Sequence, residues 1–227
     1  GLGNDKFINY KNKSINLSYS SLDNFYKCKF KYYIANLINE NDDTFATKVG
    51  ELYHYVLSKM YDSTLDFERS YNEYISNKEF SEKENILLNK LKEELKIDID
   101  LLKEQISKGK FIKTVCEKKI EINVKSKASI ILKGTIDKIM LTSDNKYAYV
   151  VDYKTGKPKI SFDHLDDGLN MQLAIYMYLM HKSKEYADVF LVGCYLQKIL
   201  DDDLVKDELK LDGYTYNDLS TIQMIDN

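Results

Sequence analysis

The 227-residue sequence holds one arginine (Arg69), one proline (Pro158) and three cysteines. A single proline leaves few forced breaks in helices or strands. Cys28, Cys116 and Cys194 are odd in number and far apart, which argues against a disulfide framework and for a reducing, cytoplasmic setting. No apolar run reaches the roughly 18 residues that suggest a membrane-spanning helix. No basic start leads into an apolar stretch, so no signal peptide is expected. Arginine is scarce while lysine is abundant, a compositional bias without functional content. The net charge of −3 does not advertise nucleic-acid binding, although a basic groove can sit on an acidic protein. No G-x-x-x-x-G-K-[ST] sequence occurs, so no nucleotide-driven motor is expected in this chain.

What is present suits a soluble globular protein: 44% hydrophobic and 30% charged residues, enough for one α/β domain with a helical annex. The chain opens Gly1-Leu2-Gly3 without a methionine, and is expected to be a piece of something longer. Residues 1–16 are polar and lysine-rich and read as a tail or linker. One domain is expected over 17–227, helical to about 108 and sheet-forming from 109. Ser18-Tyr19-Ser20-Ser21 offers N-cap oxygens to a first helix, whose Leu22, Phe25, Tyr26, Phe30, Tyr33 and Leu37 recur at three- and four-residue spacing and are expected to face a core. A second helix spans about Thr44–Met60, with Gly50 and His54 four apart on one face. Two or three charge-dense helices follow over 65–108. Alternating patterns mark strands at Phe111–Val124, Ser129–Leu141 and Tyr147–Tyr153. A helix at Gly168–Lys182, strands at Val189–Gln197 and Leu204–Leu211, and a helix at about Tyr216–Ile225 complete an α/β (α+β) fold, a mixed sheet flanked by helices.

The chemistry concentrates at Val150-Val151-Asp152-Tyr153-Lys154-Thr155-Gly156. In a strand, residues two apart share a face, so Asp152 and Lys154 aim at one spot. Asp137 lies on the hairpin partner, and the two carboxylates can meet across the ladder. Glu117, one strand earlier, is either a surface glutamate or a further member. Hard oxygen donors of this kind suit Mg²⁺ or Mn²⁺, and the His54 imidazole tilts the preference to Mn²⁺. A carboxylate-held divalent cation beside a lysine is equipped for phosphodiester hydrolysis. Taken alone, D-x-K is a common triplet on strand ends.

Five stretches in order strengthen the reading. Ser18–Tyr33, Gly50-Glu51-Leu52-Tyr53-His54, Gly134-Thr135-Ile136-Asp137-Lys138, Asp152-Tyr153-Lys154-Thr155-Gly156 and Gln172-Leu173-Ala174-Ile175-Tyr176 resemble the ordered motifs of the PD-(D/E)XK nuclease superfamily in its RecB-type branch. Lys138 stands where that branch usually has arginine. The stretch 212–218, with Met224-Ile225-Asp226, resembles the C-terminal nuclease region of a helicase–nuclease subunit. The resemblance implies a restriction-endonuclease-like core and a metal-dependent DNA exonuclease. It implies His54, Asp137, Asp152 and the Tyr153 carbonyl as metal ligands and Lys154 as the catalytic lysine. Gln172 and Tyr176 would contact DNA or brace the site. The implied partners are DNA, at linear or single-stranded ends, and a second helicase–nuclease subunit, with no membrane. In this branch a cysteine on the opening helix often joins three others around a [4Fe-4S] cluster. Cys28 fits the first position, and the remaining ligands are absent from this chain. The cluster is expected, if anywhere, in a fuller protein. The alternatives are a stand-alone RecB-like or CRISPR-associated exonuclease, and a catalytically idle DNA-binding scaffold, which the presence of Asp137, Asp152 and Lys154 argues against.

Overall fold

In a computed structural model the described residues are 15–38, 44–61, 66–124, 126, 129–156, 171–200 and 209–225. Most of the expected tail, the Gly168 helix start, residues 204–208 of the expected strand and Asp226 lie outside them. The described chain divides into two compact units, each drawn from three stretches. One comprises Gly1–Asn39, Lys119–Thr135 and Phe162–Ala187, the other Glu40–Lys118, Ile136–Ser161 and Asp188–Asn227.

The first unit opens with a short strand, β1 (Ile15–Leu17), in which Ile15 pairs in parallel with Ile130. The end of the expected tail is thus strand. Ser18 caps helix α1 (Tyr19–Lys27) through a capping box with Ser21. The single helix expected from Ser18 to Leu37 is in fact two, α1 and α2 (Lys29–Ile38). The break is Cys28, extended at φ −160°, whose N–H closes α1 on Asn24 O while its carbonyl starts α2 by accepting from Tyr32. The aromatic face is not in a core: α1 has no buried residue, and Phe25, Tyr26, Phe30 and Tyr33 are exposed. Helix periodicity marks an apolar stripe without saying what covers it.

The second unit holds the main core. Helix α3 (Phe45–Lys59), capped by Thr44, turns Val49, Leu52, Tyr53, Val56 and Leu57 inward at helical spacing. It packs with α4 (Phe67–Ser76) and α5 (Glu82–Lys108), whose Leu88, Leu95, Ile99 and Leu102 join the same cluster. Full burial of each such side chain contributes about 1.5–3 kcal/mol. Buried tyrosines find carbonyl partners: Tyr53 Oη donates to Leu91 O and Tyr71 Oη to Leu88 O.

Strands β2 (Phe111–Val124) and β3 (Ile130–Thr142) run through both units. The sheet continues through β4 (Tyr147–Lys154), β5 (Phe190–Lys198) and β6 (Leu211–Thr215), and β2 also pairs with β3. Pairing is antiparallel between β3 and β4, parallel between β4 and β5, and antiparallel between β5 and β6. The mixed sheet flanked by helices agrees with the expected α/β class. The parallel step requires a long crossover, and helix α6 (Gln172–Lys182) lies on it. The strand β6 begins at Leu211, the last residue of the expected Leu204–Leu211, and at Gly213 it pairs closer than any side chain allows: a Cβ there would meet Cys194 O at 2.1 Å. Helix α7 (Leu219–Ile225) ends the described chain.

Candidate active site

The site grows from β4. Its run Ala148–Tyr153 is buried between β3 and β5, which places Asp152 at the end of an apolar strand with 2% exposure. Lys154, on the same face, sets Nζ 2.5 Å from Asp152 Oδ2. The register Lys138↔Val151 sets Asp137 opposite Asp152 one step on. Asp137 Oδ2 accepts the Tyr153 N–H at 2.8 Å, which fixes its carboxylate and turns Oδ1 toward α3. There His54 Nδ1 lies 3.5 Å from Asp137 Oδ1 and 3.6 Å from Glu117 Oε1. One ligand atom each from His54, Glu117 and Asp137 falls within 4.8 Å of the others. The His54 ring stands edge-on to Tyr153 at 6.2 Å.

Glu117 reaches this cluster through an unusual backbone. Its φ of 49° is left-handed inside a strand, a conformation that costs a non-glycine residue about 1–3 kcal/mol and concentrates at functional sites. The uninterrupted alternation expected along β2 is broken there.

The electrostatics follow from burial and crowding. Burial disfavours the His54 imidazolium, but the Asp137 and Glu117 carboxylates outweigh it and push its pKa up to about 10. Burial, then the charge of Asp137, raises Asp152, while Lys154 pulls it down. Three carboxylates therefore face one imidazole and one ammonium, an excess of negative charge suited to a hard divalent cation. The imidazole and carboxylate donors fit that group.

Behind the site, Lys138 fills the place where the motif usually has arginine. It is 1% exposed, 5.0 Å from the Tyr153 ring, and donates to Gln197 Oε1 at 3.3 Å. Burial lowers its pKa to about 7. Gln197 in turn donates to Gln105 and Leu209 O, and Tyr153 Oη meets Tyr61 Oη at 3.0 Å. This network holds the residue between Asp152 and Lys154, and it was not read from the sequence. The signal was available: Lys138 interrupts the apolar face of β3 shared with Met140.

Gly50 faces Thr155, but a Cβ would sit 3.8 Å from Thr155 Oγ1, an ordinary contact that does not demand glycine. Gln172 and Tyr176 belong to the first unit, where Gln172 Nε2 donates to Tyr176 Oη at 3.1 Å. They line a cavity of about 520 Å³ together with Ser18, Tyr19, Lys119 and Lys133. In that unit Gly134 admits α6 closely: a Cβ would meet Leu179 Cδ1 at 2.7 Å. An iron–sulfur cluster does not fit this chain. Four thiolates are needed; the chain has three cysteines, with Cys194 buried in β5 and only Cys28 exposed.

This arrangement defines a class. A family model of the PD-(D/E)XK nuclease superfamily matches residues 16–218, and the chain belongs to that superfamily. An ATP-dependent helicase/deoxyribonuclease subunit of Clostridium perfringens strain SM101 is 26% identical over 96% of this chain and 23% of its own length. The subunit of the same description from Clostridium acetobutylicum is 23% identical over 90% of the chain and 21% of its length. The one from Alkaliphilus oremlandii is 29% identical over 62% and 15%. The chain thus spans under a quarter of the length of these relatives. Among solved structures, SSO0001 aligns with 97% of the chain and 77% of its own at 12% identity and a TM-score of 0.38. Among the described residues no helix is long and apolar enough to cross a membrane.

Proposed function

We propose that residues 17–227 form the nuclease domain of an AddB-type helicase–nuclease subunit, a Mg²⁺- or Mn²⁺-dependent exonuclease that degrades linear DNA, with single-stranded ends as its substrate, in double-strand break repair and recombination. The observation that carries this is the convergence of His54, Glu117 and Asp137 beside the Lys154–Asp152 pair, in a chain that aligns over most of its length with helicase/deoxyribonuclease subunits. His54, Glu117, Asp137 and Asp152 would hold the cation, with the Tyr153 carbonyl as a further oxygen donor. When bound, such a cation neutralises phosphate charge and polarises the scissile bond. Lys154, held by Asp152, orients the attacking water and offsets charge on the phosphorane-like transition state. Water adds its oxygen to phosphorus, one P–O bond breaks, and the proton passes to the departing oxygen, leaving a phosphate monoester and a hydroxyl. The ATP-driven motor belongs to another domain or to a partner subunit, since no phosphate-binding loop occurs in this chain.

The test is degradation of linear DNA labelled at its 5′ or 3′ end, with Mg²⁺ or Mn²⁺ supplied. Wild type releases label in an order that reports polarity, and Asp152→Ala and Lys154→Ala each lose on the order of a thousandfold in rate. Equal degradation by wild type and either variant overturns the assignment.

A further inference from the structure

Every residue from Phe25 to Lys31 is exposed, a stretch in which Tyr26-Lys27-Cys28-Lys29-Phe30-Lys31 interleaves aromatic rings with ammonium groups. Phe30 is 72% exposed and Tyr26 53%. The break at Cys28 bends the chain so that α1 and α2 form a corner, and ring contacts hold it. Phe25 meets Tyr26 edge-to-face at 5.6 Å and Tyr32 at 5.4 Å. Lys29 Nζ lies 5.8 Å from the centroid of the Phe25 ring, and Lys27 is held by Asp23. From Asp23 to Tyr33 three lysines stand against one aspartate, in a chain whose net charge is −3.

We propose that the α1–α2 corner is a binding platform for single-stranded DNA, on which Tyr26 and Phe30 stack bases while Lys29 and Lys31 meet phosphates. The proposal rests on the DNA-nuclease reading above. Solvent-exposed aromatic rings need an occupant with flat apolar faces, and adjacent ammonium groups need one with anions at short intervals. A single strand supplies both at nucleotide spacing, and stacking tolerates any base. The interleaved charge disfavours a protein occupant, because lysine is depleted at the cores of protein interfaces while aromatics are enriched. The positive excess complements a polyanion.

The chain has no tryptophan, so Phe30→Trp supplies a sole indole reporter at the platform. Binding is measured by anisotropy of a fluorescein-labelled oligothymidylate in EDTA, which separates binding from cleavage. The indole emission of Phe30→Trp is quenched as the oligonucleotide saturates. The double variant Tyr26→Ala/Phe30→Ala weakens single-strand binding by about tenfold or more and leaves blunt duplex binding unchanged. Lys29→Ala/Lys31→Ala lowers the slope of log affinity against log salt by about 1.4. Unquenched indole emission at saturation, wild-type affinity in the aromatic double variant, or no oligonucleotide binding by wild type each overturns the platform. The nuclease reading is judged separately, by cleavage in Asp152→Ala against wild type. If that contrast holds while the platform variants bind normally, the platform alone falls.

Discussion

Glu117 joins a strained backbone to a proposed ligand position, and the two can be separated. Glycine adopts φ > 0 freely, so Glu117→Gly relieves strain of about 1–3 kcal/mol while deleting a carboxylate from the cluster. The expected outcome is a higher melting temperature in EDTA together with weaker Mn²⁺ binding by calorimetry. A lower melting temperature in EDTA refutes the strain argument. His54 gives a pH signature in the same metal-free protein. Its folded pKa is raised from 6.5 to about 10 by Asp137 and Glu117. The stabilisation from the charged imidazole is therefore complete below 6.5 and fades as pH climbs toward about 10. In EDTA, the stability gap between wild type and His54→Gln is widest at the acid end of that window and closes toward the alkaline end. A gap that widens with pH contradicts the ion-pair geometry.

At the scale of elements, two glycines that look alike in the sequence make opposite demands. At Gly213 a Cβ collides with the backbone of β5, at Cys194 O and Tyr195 Cα, and neither can rotate away. Gly213→Ala costs about 1–3 kcal/mol in chemical denaturation, with loss of hydrogen-exchange protection in β6. At Gly50 the neighbour is at ordinary distance, so Gly50→Ala in the helix interior stabilises by about 0.5–1 kcal/mol. Reversal of this order contradicts the packing at both positions. The elements that sequence reasoning located well, β2 through β4 and α3, carry strong alternation or caps, and their motif residues share a face by simple periodicity. What it missed depends on things that periodicity does not encode. The helical pattern runs through Cys28 without a sign that its backbone turns extended there. Apolar spacing promised Phe25, Tyr26, Phe30 and Tyr33 to a core that the structure does not place over them. Nothing in a glutamate announces a left-handed φ, and the need for a glycine at 213 appears only once β5 lies against β6. The Asp137–Asp152–Lys154 grouping was legible because one strand parity and one hairpin register suffice to assemble it. The Lys138–Gln197–Gln105 chain was not, because it joins three elements remote in sequence.

For the whole molecule, charge and chain path matter more than any single contact. On the proposals above, the negative charge gathered at His54–Glu117–Asp137–Asp152 would take a small cation and the positive excess at the α1–α2 corner a polyanion. Raising ionic strength weakens the second far more than the first, because exposed charges are screened and buried ones much less. The chain path has a consequence in time. Residues 15–38 are made before the remainder of their unit, which is finished only by 119–135 and then 162–187. Ile15 cannot find the Ser129 carbonyl until β3 has been made. During that interval α1 and α2 wait on an unfinished scaffold, and partly folded chains of this kind invite aggregation and chaperone capture. Nascent chains stalled before Phe162 should be cut by protease at α1–α2, and chains extended well past Ala187 should resist there. Equal resistance in both would mean that the opening hairpin of helices stands without the rest of its unit.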